Sequence, residues 1–285
     1  MSAPRYVPVD GRPPRLTVGL RTLDPAEWLE VDERRDDELR AKDELLDQRH
    51  ADVVQTRPEG DAASQELLEL VIDDLTGRGL IELVAGEAVD LRTGRRVPVV
   101  RLHPVDAAAR LVQEDLCVLT PDDDCRLLLT AASVCSPSRW SLAEKMGRDV
   151  RAIHDPVPRY DEEIGAPVDQ AMDKLTVERP MWRVQWTLLD DPAAYQPEAP
   201  GADRVIDPEC AGEQVWFRVE RQTIRRLPRT RGVVFTIRTY VSRLDELGDV
   251  ALRDLAATLQ DVPDDLAEYR GWAGLLPAVR TWLAR

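Results

Sequence analysis

The sequence lacks the short motifs that identify the commonest catalytic and nucleotide-binding sites. It has no G-x-S-x-G nucleophile elbow, no G-x-x-x-x-G-K-[ST] phosphate loop, no G-x-G-x-x-G turn and no His-Glu-x-x-His pair. Only three histidines occur, so a three-histidine metal site would need all of them. One of them, His50, follows a strongly charged segment and is expected to be exposed, which argues against such a site.

Cysteines are few and are not spaced as metal ligands. The four are Cys117, Cys125, Cys135 and Cys210, and no two form a Cys-x-x-Cys pair. A disulfide framework is not expected in a chain of 285 residues with this N-terminus. We interpret each cysteine as a small buried hydrophobic residue.

Long apolar runs and basic character are also missing. No apolar run approaches the roughly 20 residues that span a bilayer, and the N-terminal fifteen residues contain no apolar core of a secretory signal. We therefore expect a cytoplasmic protein without a membrane segment. A formal net charge of −15 and a pI near 4.8 argue against nucleic acid as the main partner, because phosphate binding needs basic surface.

Local patterns predict helices, then strands, then helices, which is typical of an α+β fold. Asp24-Pro25 is expected to cap a charged helix that reaches about residue 49. Leu67, Leu68, Val71 and Leu75 recur at helical spacing and predict a second helix over 62–77. The remaining predicted helices lie over 106–116, from a Ser141–Glu144 capping box to a stop at Gly147, in a short segment to Ile153, over 160–175 and within 244–285. Predicted strands lie over 81–84, 88–91, 97–102, 126–134 and 181–188, the last alternating with Arg183, Gln185 and Thr187 on its polar face. Residues 190–213 are expected to form an excursion loop.

Residues 215–240 predict a long hairpin, with its turn at residues 227–232, where Pro228 and Gly232 interrupt the pattern. Period-two alternation gives each arm an apolar and a polar face. The polar set is Trp216, Arg218, Glu220 and Gln222 in the first arm, and Thr236, Arg238 and Tyr240 in the second. If these share one face, Glu220 lies among arginines and aromatic rings, which suits a ligand pocket. The alternative is a sheet with one face in water.

His154 is the most notable candidate ligand. It follows a predicted helix and precedes Pro156 and Pro158, which hold the following backbone extended. A haem axial ligand needs a neutral imidazole that is held rigidly, with its other nitrogen hydrogen-bonded. A histidine that only caps or packs is the alternative interpretation. His103 is the rival ligand, and Cys135 is a weaker candidate because nothing near it in sequence would activate a thiol.

Several sequence blocks, in order, resemble the haem-dependent oxidative N-demethylase family. They are Gln113–Leu116, Val134–Trp140, Glu144–Gly147, Ile153–Tyr160, Arg218–Pro228 and Phe235–Tyr240, with a weaker match at Trp28–Leu29. The blocks run from about residue 100 to residue 240. An ordered series of this kind is far more specific than any one block.

The resemblance implies one PAS-like α+β domain over residues 1–285, with an N-terminal arm and C-terminal helices from about residue 244, that binds haem b through His154. It also implies O₂-dependent removal of a methyl group from a small secondary amine such as dimethylamine, with release of formaldehyde. Electrons would come from NADPH through a separate reductase carrying flavin and an iron–sulfur cluster, and the protein would form a homo- or hetero-oligomer.

Further roles follow from chemistry once haem and an alkylamine are expected. Glu220 would bind a dialkylammonium ion, and Tyr240 or Trp140 would line the pocket. Arg218 and Arg238, with Arg221 beside them, would bind the haem propionates, for which arginine has a suitable bidentate geometry. The alternative is that Glu220 and the arginines form only a structural ion-pair network.

Two positions depart from the family pattern. Ser136 stands where an aromatic residue is common, and Gln185 stands where asparagine is expected. These differences leave the substrate open. A haem sensor or carrier without demethylase activity, and a haem-free scaffold, are therefore the competing functional hypotheses.

Overall fold

The computed structural model describes residues 4–198 and 205–285. Within them the strands are β1 (Arg21–Thr22), β2 (Val54–Thr56), β3 (Ile81–Val84), β4 (Glu87–Asp90), β5 (Arg96–Val97), β6 (Asp115–Pro121), β7 (Leu127–Ser133), β8 (Met181–Leu189), β9 (Trp216–Arg226) and β10 (Val233–Arg243). The α-helices are α1 (Arg35–Gln48), α2 (His50–Val53), α3 (Asp61–Gly77), α4 (Pro104–Leu111), α5 (Leu142–Lys145), α6 (Val150–His154), α7 (Ala166–Asp173), α8 (Ala211–Gln214), α9 (Asp249–Thr258), α10 (Asp264–Tyr269) and α11 (Leu276–Leu283).

Seven strands form one antiparallel sheet in the order β1-β8-β9-β10-β6-β7-β2. The predicted hairpin is confirmed: β9 and β10 lie at the centre and pair along their whole length. Its turn is held by the buried carboxylate of Glu66 on α3, which accepts hydrogen bonds from the backbone N–H groups of Arg229 (2.7 Å) and Thr230 (2.8 Å). Strands β3, β4 and β5 form a separate small sheet.

The register of the strands defines the two faces of the large sheet. Tyr240 lies opposite Val219 and Arg238 lies opposite Arg221, so these residues share one face, here called the tyrosine face. The other is called the glutamate face: it carries Arg218, Glu220 and Gln222 of β9, Arg183, Gln185 and Thr187 of β8, and Thr239 of β10. The predicted alternation of β8 is confirmed by this pairing.

Two groups of helices cover the tyrosine face. Helices α3 and α4 pack one end, where Leu67 and Ala108 join Val118 and Val234 in a buried cluster. The C-terminal helices pack the other end, in a second cluster. Its buried members include Phe217, Val219, Leu255, Trp272 and Val279. Burial of these apolar side chains is the main stabilising contribution to the layer.

The glutamate face is covered by the segment that contains α5, α6 and α7. Leu142 is buried against Leu129 and Ile224, and Ile153 and Met172 pack on the same cluster. Residues 181–187 of β8 nevertheless remain half-buried along their length. Because these residues alternate between the two faces, β8 is incompletely covered on both.

The amphipathic helix predicted over 62–77 is confirmed as α3. Gly79, with φ +67°, ends it in the left-handed conformation that favours glycine. The N–H groups of Gly79 and Leu80 donate to the carbonyls of Thr76 and Leu75 (both 2.9 Å), which completes a Schellman-type C-cap.

Four local predictions are wrong. The strand expected over 97–102 is reduced to β5, which ends at Val97. The helix expected over 106–116 ends at Leu111 as α4, and Asp115 already begins strand β6, which separates β10 from β7. The helix expected from Asp24 is a single 3₁₀ turn, and α1 starts only at Arg35. Ser141 stands before α5, but its side chain makes no capping hydrogen bond. In the case of α4, the helical propensity of residues 112–116 is outweighed by strand pairing in the sheet.

The α+β class and the helical C-terminus are confirmed. The PAS-like architecture and the single-domain organisation stay predictions. Part of the excursion loop expected over 190–213, residues 199–204, lies outside the described residues. Within the described part of the chain, no helix is both long and apolar enough to cross a bilayer.

Candidate functional site

The imidazole of His154 is oriented by a hydrogen bond to its own helix. Nδ1 lies 2.7 Å from the carbonyl oxygen of Val150, and because a carbonyl can only accept, Nδ1 must carry the hydrogen. The lone pair is therefore on Nε2, which has no hydrogen-bond partner among residues 4–198 and 205–285. A metal-binding histidine has this arrangement, since the second nitrogen is commonly fixed by a backbone carbonyl.

The backbone around His154 is held as firmly as the ring. The Asp149 side chain caps α6 by accepting from the N–H of Ala152 (2.8 Å). The His154 carbonyl accepts from the N–H of Val157 (2.8 Å), between the two prolines of this turn. The ring then stacks on Tyr160. The prolines were expected to hold the following backbone extended, and this is wrong: Asp155, before Pro156, has helical φ and ψ (−44° and −38°), and residues 155–159 form turns.

The surroundings favour the neutral form of the imidazole. Burial lowers the pKa of His154, and the charges of Arg183 and Lys145 lower it further, against the opposing effect of the Val150 carbonyl. A neutral imidazole is the form that binds a metal ion.

Glu220 is held between two donors on the glutamate face. Arg218 donates through Nε to Oε1 (3.1 Å), and Gln222 donates through Nε2 to Oε2 (3.0 Å). The Glu220 side chain keeps 18% of its surface exposed. A carboxylate has about four lone-pair positions, so two remain for a ligand.

Arg183 links this carboxylate to the histidine. Its Nε donates to Oε1 of Gln222 (2.7 Å), its Nη1 donates to the carbonyl of Val18 (3.3 Å), and its charge acts on both Glu220 and His154. Sequence reasoning missed Arg183 and Gln222 as site residues. The alternation of β8 had placed Arg183 on a polar face, but the register that brings it beside Gln222 was not known.

Arg218 is fully buried and only partly satisfied. Its Nη2 donates to the carbonyl of Ser136 and to the hydroxyl of Thr239 (3.2 Å), while Nη1 has no partner within the described residues. It therefore joins the strand to the loop that follows β7. Trp140, on the same loop, is half-buried with Met146, Val150 and Ile153, so it lies on the His154 side of the sheet.

The expected shared face of the hairpin is wrong for Arg238 and Tyr240, and Arg221 lies with them. All three belong to the tyrosine face, opposite to Glu220. Arg238 is paired through Nη2 with Asp32 (2.8 Å) and Glu38 (2.8 Å). The antiparallel register sets Tyr240 beside Val219, and this pairing could not be read from either arm alone.

Tyr240 and Arg221 hold the N-terminal segment to the sheet. The Tyr240 hydroxyl donates to Glu30 (2.5 Å), which also accepts from the Tyr6 hydroxyl (2.6 Å) and lies 3.6 Å from Nε of Arg221. Burial raises the pKa of Tyr240, and the bond to Glu30 raises it further. Tyr240 and Arg221 therefore belong to a structural network of hydrogen bonds and ion pairs, which was the alternative interpretation. They lie on the face of the sheet opposite to His154.

The rival ligands are occupied or unreactive. His103 uses Nδ1 to accept from the N–H of Val105 (3.2 Å), and its Nε2 lies 3.2 Å from Asp61. His50 Nε2 lies 2.9 Å from Asp106. Burial raises the pKa of the Cys135 thiol to about 12, so the thiolate that binds a metal is disfavoured. Within the described residues His103 has both ring nitrogens engaged, and His50 keeps Nδ1 without a partner but is 52% exposed. His154 is therefore the part-buried histidine with an unengaged nitrogen.

The site residues fit haem, which requires one imidazole with a fixed tautomer rather than a cluster of protein ligands. A family model described as haem-dependent oxidative N-demethylase, alpha subunit-like, matches residues 19–279, nearly the whole chain. That description indicates haem dependence and an oxidative N-demethylase, and the words "alpha subunit" imply an enzyme of several subunits.

Proposed function

The chain belongs to the haem-dependent oxidative N-demethylase alpha-subunit-like family, and from this premise we propose that it demethylates a small secondary amine such as dimethylamine. In the balanced reaction, dimethylamine, O₂, NADPH and one proton give methylamine, formaldehyde, NADP⁺ and water. The bond that breaks joins nitrogen to the methyl carbon, which is oxidised. Haem b, when bound, supplies the iron at which O₂ is activated.

The orientation of His154 is the single observation that carries the proposal. Its Nδ1–H is donated to Val150 and its Nε2 lone pair is unused within the described residues. The stack on Tyr160 and the lowered pKa support the same role. His154 would hold the haem iron with little loss of side-chain freedom on binding.

Glu220 would bind the substrate as a dialkylammonium ion. The donors Arg218 and Gln222 fix its carboxylate and leave lone pairs for an N–H group. Trp140, on the His154 side of the sheet, would line the pocket. Thus the chain's own residues would orient the methyl group and limit access of water.

Electrons would come from NADPH through a separate reductase subunit. No flavin or iron–sulfur motif is recognised in this sequence, and the alpha-subunit description of the family supports a partner of this kind. The chain would then contribute the haem, the O₂ site and the amine site to the assembled enzyme.

A spectrum of the protein expressed with added haem precursor tests this proposal. We expect a Soret band in the wild type that is lost in His154→Ala and kept in the matched control His50→Ala. Formaldehyde release from dimethylamine, with O₂ and an electron source, tests turnover. A wild type without a Soret band contradicts haem binding.

A second candidate is a haem-binding protein without demethylase turnover. The two departures from the family pattern favour it, because both adjoin the residues proposed to bind the amine: Gln185 is the cross-strand neighbour of Glu220, and the Ser136 carbonyl accepts from Arg218. A Soret band that depends on His154, without formaldehyde from any methylamine, would select this function.

A further inference from the structure

The buried Arg218 and the half-buried Arg139, at one end of the glutamate face, have buried guanidinium nitrogens without partners. Nη1 of Arg218 and both Nε and Nη1 of Arg139 make no hydrogen bond within the described residues. Arg218 is fully buried, and the Arg139 side chain is 10% exposed. A buried N–H group without a partner costs roughly 1–3 kcal/mol, more when it is charged, so three such atoms need an explanation.

The two side chains belong to the same corner of the fold. Arg218 donates to the carbonyl of Ser136, three residues before Arg139 in the same loop. Arg139 pairs with Asp190, which directly follows β8, and the last residue of β8, Leu189, pairs with Trp216, two residues before Arg218. The loop after β7 and the start of β9 therefore bring both guanidinium groups to this corner.

The carboxylates of this corner are already engaged. Glu220 accepts from Arg218 and Gln222, and Asp190 accepts from Arg139. Asp115 accepts from the N–H groups of Cys135 (2.8 Å) and Ser136 (2.8 Å). Asp191, whose charge also acts on Arg139, accepts from the N–H of Ala193 (2.8 Å). The unpartnered nitrogens thus remain although these carboxylates already make the ion pairs and hydrogen bonds described.

Other arginines with an unpartnered nitrogen have a different explanation. Arg238 carries two carboxylate partners on the tyrosine face. Arg225 lies over the ring of Trp28 and Arg270 over the ring of Trp272, at 4.2 and 4.6 Å from the ring centroids. Aromatic faces attract a guanidinium and partly replace the lost hydrogen bonds. No aromatic ring lies under Arg139 or Arg218 within the described residues.

The backbone of Arg139 is also held in a costly conformation. Its φ of +64° lies in the left-handed region, which a side chain with Cβ rarely adopts. The N–H of Arg139 donates to the carbonyl of Gln196 (2.7 Å), which stabilises that conformation. Backbone strain of this kind concentrates at ligand sites, where the surrounding structure maintains it.

We propose that Arg139 and Arg218 together form a carboxylate-binding site that takes the propionate groups of haem. The proposal rests on the proposed function and names the residues that would bind the anionic groups of the same haem. Guanidinium groups bind carboxylates through planar, charge-assisted hydrogen bonds, so a propionate would satisfy the orphaned nitrogens. It also replaces Arg238, the partner expected from sequence, with Arg139.

The test compares haem with its dimethyl ester, which keeps the iron and the ring but lacks both carboxylates. Each is titrated into haem-free protein while the Soret band is followed. We expect the wild type to bind haem at least tenfold more tightly than the diester. We expect Arg139→Gln and Arg218→Gln to weaken haem binding about tenfold and to leave the affinity for the diester unchanged. Arg126→Gln, at an exposed arginine before β7, is the control and should bind both as the wild type does.

The outcomes separate the two claims. Equal affinity of the wild type for haem and the diester overturns this inference and leaves haem binding intact. If Arg139→Gln lowers the affinity for haem and for the diester by the same factor, the inference is also overturned. The substitution would then act by disturbing the fold and not by removing a contact with the propionates. The wild-type comparison needs no variant, so misfolding of Arg218→Gln does not affect it. If neither porphyrin binds, the proposed function fails and this inference fails with it.

Discussion

The imidazole of His154 stacks on the phenol ring of Tyr160, with ring centroids 4.8 Å apart and planes 9° from parallel. The two residues lie on either side of the Pro156–Pro158 turn. The stack fixes the plane of the imidazole, and the bond from Nδ1 to Val150 fixes its rotation. Together they hold Nε2 in one direction before any ligand arrives.

Replacing Tyr160 with leucine should therefore weaken haem binding severalfold, because the imidazole gains freedom that ligation must remove. Tyr160→Phe should bind as the wild type does, since the ring is kept and the buried hydroxyl has no partner in the described residues. Soret titration of the haem-free proteins measures both. A leucine variant with wild-type affinity would show that the stack does not prepare the ligand.

Gln222 should control amine binding through Glu220. Gln222→Leu removes the donor to Glu220 and the acceptor for Arg183, so the carboxylate loses its fixed position. We expect the KM for the amine to rise about tenfold while the haem spectrum stays unchanged. The exposed Gln65→Leu is the matched control. A changed Soret band with an unchanged KM would place Gln222 in haem binding instead.

Tyr240→Phe should reduce stability and spare function. The hydroxyl donates to the buried Glu30, and loss of a hydrogen bond to a charged group costs about 1.5–3 kcal/mol of the free energy of unfolding. Tyr6→Phe, which removes the other phenol from the same carboxylate, should have a similar effect. Urea unfolding and the haem spectrum are the two measurements. If Tyr240→Phe abolished formaldehyde production without changing the free energy of unfolding, Tyr240 would have a role in the active site after all.

Asp90 should make stability depend on pH in the acid range. Burial alone would raise its pKa, but hydrogen bonds from Arg35 and Thr93 and the charge of Arg35 outweigh this and lower the pKa to about 2. Because the folded pKa lies below the unfolded one, the stabilisation is present above about pH 4 and is lost as the pH falls towards 2. The difference corresponds to about 2 kcal/mol at pH 7.

Comparing Asp90→Asn with the wild type by denaturant unfolding measures this contribution. We expect the variant to be less stable by about that amount at pH 7, with the gap narrowing below pH 4. Asp123→Asn, on an exposed turn, should match the wild type throughout. A gap that is constant with pH would mean that lost packing, and not the ion pair, accounts for the effect.

The sequence by itself determined the elements whose information is local. The helix α3 follows from four apolar residues at helical spacing, and the hairpin of β9 and β10 follows from period-two alternation around Pro228 and Gly232. The prolines after His154 correctly predicted that its helix ends there, but the backbone that follows forms turns and not the extended segment that was expected. The ordered blocks likewise indicated the family that the match over residues 19–279 shows.

Only the tertiary structure decided which residues meet. Alternation gives each strand two faces but does not say which face of one strand joins which face of the next, since a one-residue change of register exchanges them. For that reason Tyr240 and Arg238 were grouped with Glu220, although the register places them on the opposite face. Arg183 and Arg139 come from segments distant from Glu220 in sequence, and their proximity to the site is a property of the folded sheet and its covering loop. Gln222 lies near Glu220 along β9, but its bond to Arg183 depends on the register of β8 with β9.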